Sequence, residues 1–78
     1  MRFNYSKLLG RMKECGYTQE KLAQAIGISS STLNLKLNNR ANFYQPEMQA
    51  ICKLLNISGA DVYTIFFTLE VEKNSTND

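Results

Sequence analysis

Small hydrogen-bonding side chains are concentrated in residues 18–37 of the chain. Helical spacing places Ser30, Ser31 and Asn34 on one outward face, together with Lys36. Hydroxyl groups both donate and accept hydrogen bonds, and an asparagine amide can form two hydrogen bonds with an adenine edge. Leu35, beside them, is either a buried residue or an exposed contact for thymine methyl groups. We therefore expect Ser30, Ser31, Asn34 and Leu35 to be side chains that contact bases in the major groove.

A second set of polar residues lies where the backbone of a bound DNA would pass. Contacts of this kind position a protein on the duplex without selecting a sequence. Arg40 is the strongest candidate because it lies in the loop that follows the segment. The predicted phosphate-contacting residues are Lys21, Ser29, Lys36, Asn39, Arg40 and Tyr44.

Other chemistries have little support in this composition. Ser29–Ser31 and Lys36 could be combined into a serine–lysine dyad, but no glycine-rich elbow accompanies them. The chain has two cysteines, Cys15 and Cys52, and no histidine, so a metal site lacks its usual ligands. We expect no enzymatic activity, no metal and no cofactor.

Two short helices joined by a tight turn are predicted to position these side chains. Thr18 and Ser29 are suited to cap the first turns of the two helices, and Gly27 can adopt the left-handed conformation that ends the first. Apolar residues at helical spacing give both helices an inner face: Leu22, Ala23, Ile26, Leu33 and Leu37.

Three further helices are predicted around this pair. The first runs from about residue 5 to Glu14, the fourth begins near Pro46, and the fifth follows Ser58. No strand pattern of comparable strength precedes residue 66. The sequence thus predicts an all-α domain of five helices over residues 1–66, followed by a short extended tail over residues 67–78.

The tail leaves two alternatives open. Residues 67–72 alternate between apolar and polar side chains, which is the pattern of a half-buried strand. Such a strand needs a partner, and a second copy of the chain is the most economical one. In the other alternative Phe67 and Leu69 fold back onto the core. The predicted dimerisation residues are Phe66, Phe67, Leu69 and Val71, and residues 73–78 are expected to be disordered.

Charge is distributed unevenly along the chain. Residues 1–55 hold eight lysines and arginines against three glutamates, whereas residues 56–78 hold one lysine against four acidic residues. Phosphates would attract the first part and repel the second. The two cysteines without a disulfide framework, and the absence of an apolar signal or membrane span, favour a cytoplasmic protein with no membrane partner.

The paired helices resemble those of phage repressor and Cro-type proteins, the XRE-like helix-turn-helix family. The matching residues are Gln19, Leu22, Ala23, Ile26, Gly27, Ser29, Thr32 and Leu33, followed by Asn38, Asn39 and Arg40. The resemblance implies a lambda-repressor-like fold, a phosphate contact by Gln19, and a homodimer that regulates transcription from a double-stranded DNA operator. Lys36 departs from the pattern, because the family usually has an apolar residue there.

Two functions follow as expectations. The first is a sequence-specific regulator, of phage or prophage origin, whose third helix reads the major groove. The second is a regulator that binds another phage repressor through its C-terminal region, Phe66–Val71.

Overall fold

The computed structural model describes residues 2–71, so the predicted disorder of residues 73–78 lies outside the described part. This part is all-α, and the prediction of five α-helices is confirmed. They are α1 (Ser6–Glu14), α2 (Gln19–Ile26), α3 (Ser30–Leu37), α4 (Gln45–Leu54) and α5 (Val62–Phe66), and a 3₁₀ turn, Gly59–Asp61, leads into α5. None of these helices is long and apolar enough to cross a membrane.

Side-chain caps begin the second and third helices where the sequence predicts them. The Thr18 hydroxyl accepts a hydrogen bond of 3.1 Å from the Lys21 backbone N–H. The Ser29 hydroxyl accepts one of the same length from the Thr32 N–H. Each cap satisfies a backbone donor that has no partner within its helix.

Left-handed residues follow the first four helices. Gly16, Gly27, Asn39 and Asn56 have φ angles of 78°, 82°, 63° and 56°. In each case the next residue donates its backbone N–H to a carbonyl five residues earlier, as Ile28 does to Ala23 at 3.0 Å. These bonds close the helix ends. Two of the four positions hold asparagine, which tolerates the left-handed conformation less well than glycine.

The core lies between α1, α2–α3 and α4–α5. Its largest fully buried side chains are Leu8, Leu22, Leu33, Ile51, Leu55 and Phe66. Aromatic rings extend it toward the N-terminal segment, since Phe43 packs edge-to-face on both Tyr5 and Phe66. Burying this apolar surface holds the short α2 and α3 together, because helices of eight residues are not stable alone in water.

Residues 67–71, the described part of the C-terminal tail, fold back and pair with the N-terminal segment of the same chain. Phe3 and Leu69 form an antiparallel bridge, with hydrogen bonds from Asn4 N–H to Thr68 O and from Glu70 N–H to Arg2 O. Phe67 packs edge-to-face against the Phe3 ring. Within the chain, therefore, residues 2–4 provide a pairing partner for one edge of residues 68–70.

The structure corrects one predicted dimerisation residue. Phe66 is only 2% exposed and is part of the core, so its side chain is not available on the surface. Phe67 is partly buried, whereas Leu69 and Val71 are exposed.

Candidate interaction surface on α3

The four predicted base-contacting residues form one exposed face of α3. Ser30, Ser31, Asn34 and Leu35 are all exposed. Leu35 retains 44% of its accessible surface, so of its two alternatives the structure shows the exposed one. We call these four residues, together with the residues that line the clefts beside them, the α3 face. The lining residues are Arg2, Gln19, Glu20, Asn38 and Arg40.

Two open clefts extend along the α3 face and share Asn34 and Leu35. One, of about 530 Å³, lies toward the start of α3, where its other lining residues are Gln19, Glu20, Ser30 and Ser31. The other, of about 320 Å³, lies toward the end of α3, where its other lining residues are Arg2, Asn38 and Arg40. The α3 face therefore has an acidic group at one end, two arginines at the other, and a leucine between them.

Three amide side chains on the α3 face are linked by hydrogen bonds. The Asn34 amide donates to the Gln19 Oε1 at 3.3 Å. The Asn38 amide donates to the Asn34 Oδ1 at 3.1 Å and to the Asn34 backbone carbonyl at 2.8 Å. Because both ends of the Asn34 amide already have a partner, its orientation is set before any ligand binds.

Lys36 does not lie on the α3 face, which corrects the expectation that it points outward. Its side chain is buried, and the ammonium group donates to the Glu47 carboxylate at 2.8 Å and to the Asn42 carbonyl at 2.9 Å. It also lies 4.3 Å from the centre of the Tyr44 ring. The aliphatic stem is buried with the ammonium group, whose charge is paired with the Glu47 carboxylate inside the protein. Lys36 is thus not placed to contact a phosphate.

Two other predicted phosphate contacts have internal partners. The Asn39 amide binds the main chain of Phe3 on both sides: its Oδ1 accepts from the Phe3 N–H at 2.7 Å, and its Nδ2 donates to the Phe3 carbonyl at 2.9 Å. The Ser29 hydroxyl, besides capping α3, lies 2.9 Å from the Thr32 hydroxyl. The remaining predicted cations, Lys21 and Arg40, are exposed.

Three residues of the α3 face were not predicted as site residues: Arg2, Glu20 and Asn38. Arg2 comes from the first residues of the chain, and no sequence pattern links it to α3. Glu20 lies in the first turn of α2, where its sequence signal is only that of an acidic residue favourable at a helix start. Arg2 joins α3 through pairing between distant parts of the chain, whereas Glu20 joins it because α2 packs against α3.

A second exposed apolar group lies near the C-terminus. Tyr63, Leu69 and Val71 retain 70%, 44% and 82% of their accessible surface. The Tyr63 ring lies 5.9 Å from that of Phe67, centre to centre. We call Tyr63, Phe67, Leu69 and Val71 the C-terminal patch.

Titration and metal chemistry add nothing to these surfaces. Burial raises the pKa of the Cys52 thiol and of the Tyr5 phenol, neither of which lines the α3 face. Within residues 2–71 no group of three or more histidine, cysteine or acidic side chains is placed to hold a metal ion.

Comparison with known proteins relates the fold to a protein family and to a solved phage protein structure. The chain is 33% identical to the modulator of repression of the temperate bacteriophage TP901-1 from Lactococcus lactis, with a TM-score of 0.73 against its solution structure. The match covers 92% of this chain and 97% of that one. No curated protein sequence matches. A model of the family described as "Protein of unknown function (DUF739)" matches residues 1–69, and the chain therefore belongs to that family.

Proposed function

We propose that this protein regulates a phage repressor by binding to it, and that the α3 face is the contact surface. The relationship to a phage modulator of repression supports a role in phage gene regulation, since the similarity extends over nearly the full length of both chains. Similarity of fold alone would not support a shared function. The proposal therefore depends on the chemistry of the α3 face.

The observation that carries it is the exposed Leu35 at the centre of the α3 face, together with the burial of Lys36, the lysine of α3. Lys36 is 3% exposed, so α3, which contains no other lysine or arginine, presents no free cation of its own. Glu20 lies at one end of the same face, where it would repel a phosphate. An apolar centre with mixed charges around it is typical of protein interfaces, whereas DNA-binding surfaces are strongly positive.

The C-terminal patch is the other surface on which the repressor could dock, as the sequence suggested for Phe66–Val71. Phe66 is buried in the core and is not part of this patch. The backbone of residues 68–70 is hydrogen-bonded to residues 2–4. Leu69 and Val71 remain exposed. Docking on the α3 face and docking on the C-terminal patch predict different effects on repressor binding when Leu35 or Leu69 is replaced.

Three leucines of nearly equal exposure provide a matched test. Leu9, Leu35 and Leu69 retain 43%, 44% and 44% of their surface. Calorimetric titration with a candidate phage repressor should show that Leu35→Ala weakens binding by about 10-fold, a typical loss for a central apolar contact. Leu9→Ala and Leu69→Ala should leave it unchanged. Loss confined to Leu69→Ala would move the interface to the C-terminal patch, and no binding by the wild type would reject the proposal.

Operator binding is the second candidate function. The orientation of Asn34 by Gln19 and Asn38 favours it, because a fixed amide suits bidentate contact with an adenine. Of the cations predicted from the sequence, Lys21 and Arg40 remain exposed to contact phosphates, and Arg2 lines the same cleft as Arg40. A homodimer would then be needed to place two α3 helices in successive major grooves.

A gel-shift experiment on the DNA flanking the gene distinguishes this candidate. Operator binding should weaken steeply as salt is raised and be lost in Asn34→Ala with Arg40→Ala. Under repressor binding alone, the protein should shift no DNA at any salt concentration. A shift by the wild type that is insensitive to both substitutions would remove α3 from the DNA contact.

A further inference from the structure

Arg2 reaches the α3 face because the N-terminal segment is held from both sides. On one side the Asn39 amide clamps the main chain of Phe3, at 2.7 and 2.9 Å. On the other side the tail pairs with residues 2–4 through its backbone. The segment is thus fixed between the end of α3 and the tail, and Arg2 lines the same cleft as Arg40.

Glu70 orients the Arg2 side chain. Its backbone N–H donates to the Arg2 carbonyl at 2.8 Å, and its carboxylate accepts from the Arg2 Nε at 3.0 Å. A guanidinium has five N–H donors in a planar fork, so the Nε bond leaves the two terminal nitrogens for another acceptor. Neither terminal nitrogen of Arg2 is hydrogen-bonded to another described residue.

We propose that Arg2 and Arg40 form an acid-binding cleft at the end of α3 that receives a carboxylate side chain of the repressor. The inference rests on the proposed function and names the chemistry of the partner at this site. Two arginines line an open cleft of about 320 Å³ together with Leu35, Asn34 and Asn38. Arg40 has no ion-pair partner among residues 2–71. Guanidinium groups bind carboxylates through paired hydrogen bonds, which gives both strength and geometry.

A carboxylate of a protein fits this cleft better than the phosphates of DNA. Leu35 forms one wall, and a peptide offers apolar groups beside its acids where a phosphate backbone does not. Glu70 lies next to Arg2 and Glu20 lies at the far end of the α3 face, so a row of phosphates along α3 would meet acidic groups at both ends.

The test measures repressor affinity for Arg2→Gln and Arg40→Gln. Each should weaken binding by about 10-fold, in the range found when one partner of a charged interface contact is removed. Lys13→Gln is the matched control, since it removes one exposed positive charge from α1. It should reduce affinity less than twofold, and thermal unfolding of all three variants should match the wild type.

Glu70→Gln tests whether Glu70 acts through Arg2. We expect it to weaken binding about threefold in the wild type, because Arg2 loses a charged partner that restricts it, and to have no effect in the Arg2→Gln background. Equal effects in both backgrounds would show that Glu70 does not position Arg2.

The outcomes separate this inference from the proposed function. If the wild type binds the repressor and both arginine variants bind equally well, the cleft is not used and the inference fails alone. If the wild type does not bind the repressor, the proposed function fails first. If the wild type shifts duplex DNA and Arg2→Gln reduces the salt dependence of that binding, the cleft holds a phosphate and the carboxylate assignment is overturned.

Discussion

Replacing Asn39 with glycine separates its side-chain role from its backbone role. Asn39 has a φ of 63°, a conformation that glycine adopts more readily than asparagine. Judged from the backbone alone, Asn39→Gly should therefore stabilise the protein. The side chain, however, makes two hydrogen bonds to Phe3, and these attach the N-terminal segment to α3.

The two effects can be compared in magnitude. Each hydrogen bond contributes about 0.5–1.5 kcal/mol net, so the pair is worth about 1–3 kcal/mol. Relief of the left-handed backbone returns about 1 kcal/mol or less, because asparagine tolerates this region better than most residues. We expect the free energy of unfolding to fall by about 0.5–2 kcal/mol, which lowers the melting temperature by roughly 2–15 °C in a domain of this size.

Asn56→Gly is the matched control. Asn56 has a φ of 56° at the end of α4, and its side chain makes no hydrogen bond to another residue in the described range. Only the backbone effect remains, so this variant should be as stable as the wild type or more stable, by up to about 1 kcal/mol.

Thermal and urea denaturation measure both variants. Amide hydrogen exchange adds a local measure, since loss of the clamp should also speed exchange at Asn4 and Glu70, whose N–H groups bridge the N-terminal segment and the tail. The reasoning would be refuted if Asn39→Gly and Asn56→Gly changed stability in the same direction by similar amounts, or if Asn4 and Glu70 exchanged at wild-type rates in Asn39→Gly.

Two further predictions concern the buried ion pair and the glycines. Lys36→Met should lower the free energy of unfolding, measured by urea denaturation, by about 2–4 kcal/mol, because Glu47 is left buried without its cation. Adding Glu47→Gln should restore most of the lost stability. A Lys36→Met variant as stable as the wild type would contradict this. Gly10→Ala should raise stability by about 0.5–1 kcal/mol, since Gly10 lies inside α1 with open space around it. Gly27→Ala should lower it by about 1–2 kcal/mol because of its φ of 82°, although no atom would clash. Melting temperatures that moved together in the two glycine variants would show that backbone conformation does not decide the outcome.

Local chemistry made much of the fold predictable. Thr18 and Ser29 cap the helices they were expected to cap, and Gly27 takes the left-handed conformation after α2. These features depend on groups within about one helical turn of each other, so a residue type at a given spacing is nearly sufficient to predict them. The apolar periodicity likewise identified Leu22 and Leu33 as core residues.

The site was less predictable because side-chain direction depends on distant neighbours. The common exposed face of Ser30, Ser31 and Asn34 follows from the helical period, whereas the exposure of Leu35, which the sequence left open, was decided by packing. From the sequence alone, Lys36 is expected on the surface. In the structure it is buried, because the Glu47 carboxylate and the Asn42 carbonyl, both beyond the end of α3, accept hydrogen bonds from its ammonium group.

The sequence by itself determined the five helices, the side-chain caps of α2 and α3, the left-handed Gly27, and the exposed positions of Ser30, Ser31 and Asn34. Each of these is set by interactions between residues close in the chain. Only the tertiary structure decided that Lys36 is internal, that Phe66 belongs to the core, and that the tail pairs with residues 2–4 so that Arg2 joins the α3 face. These contacts join residues separated by long stretches of chain, and their energies depend on burial and on partners that only packing brings together.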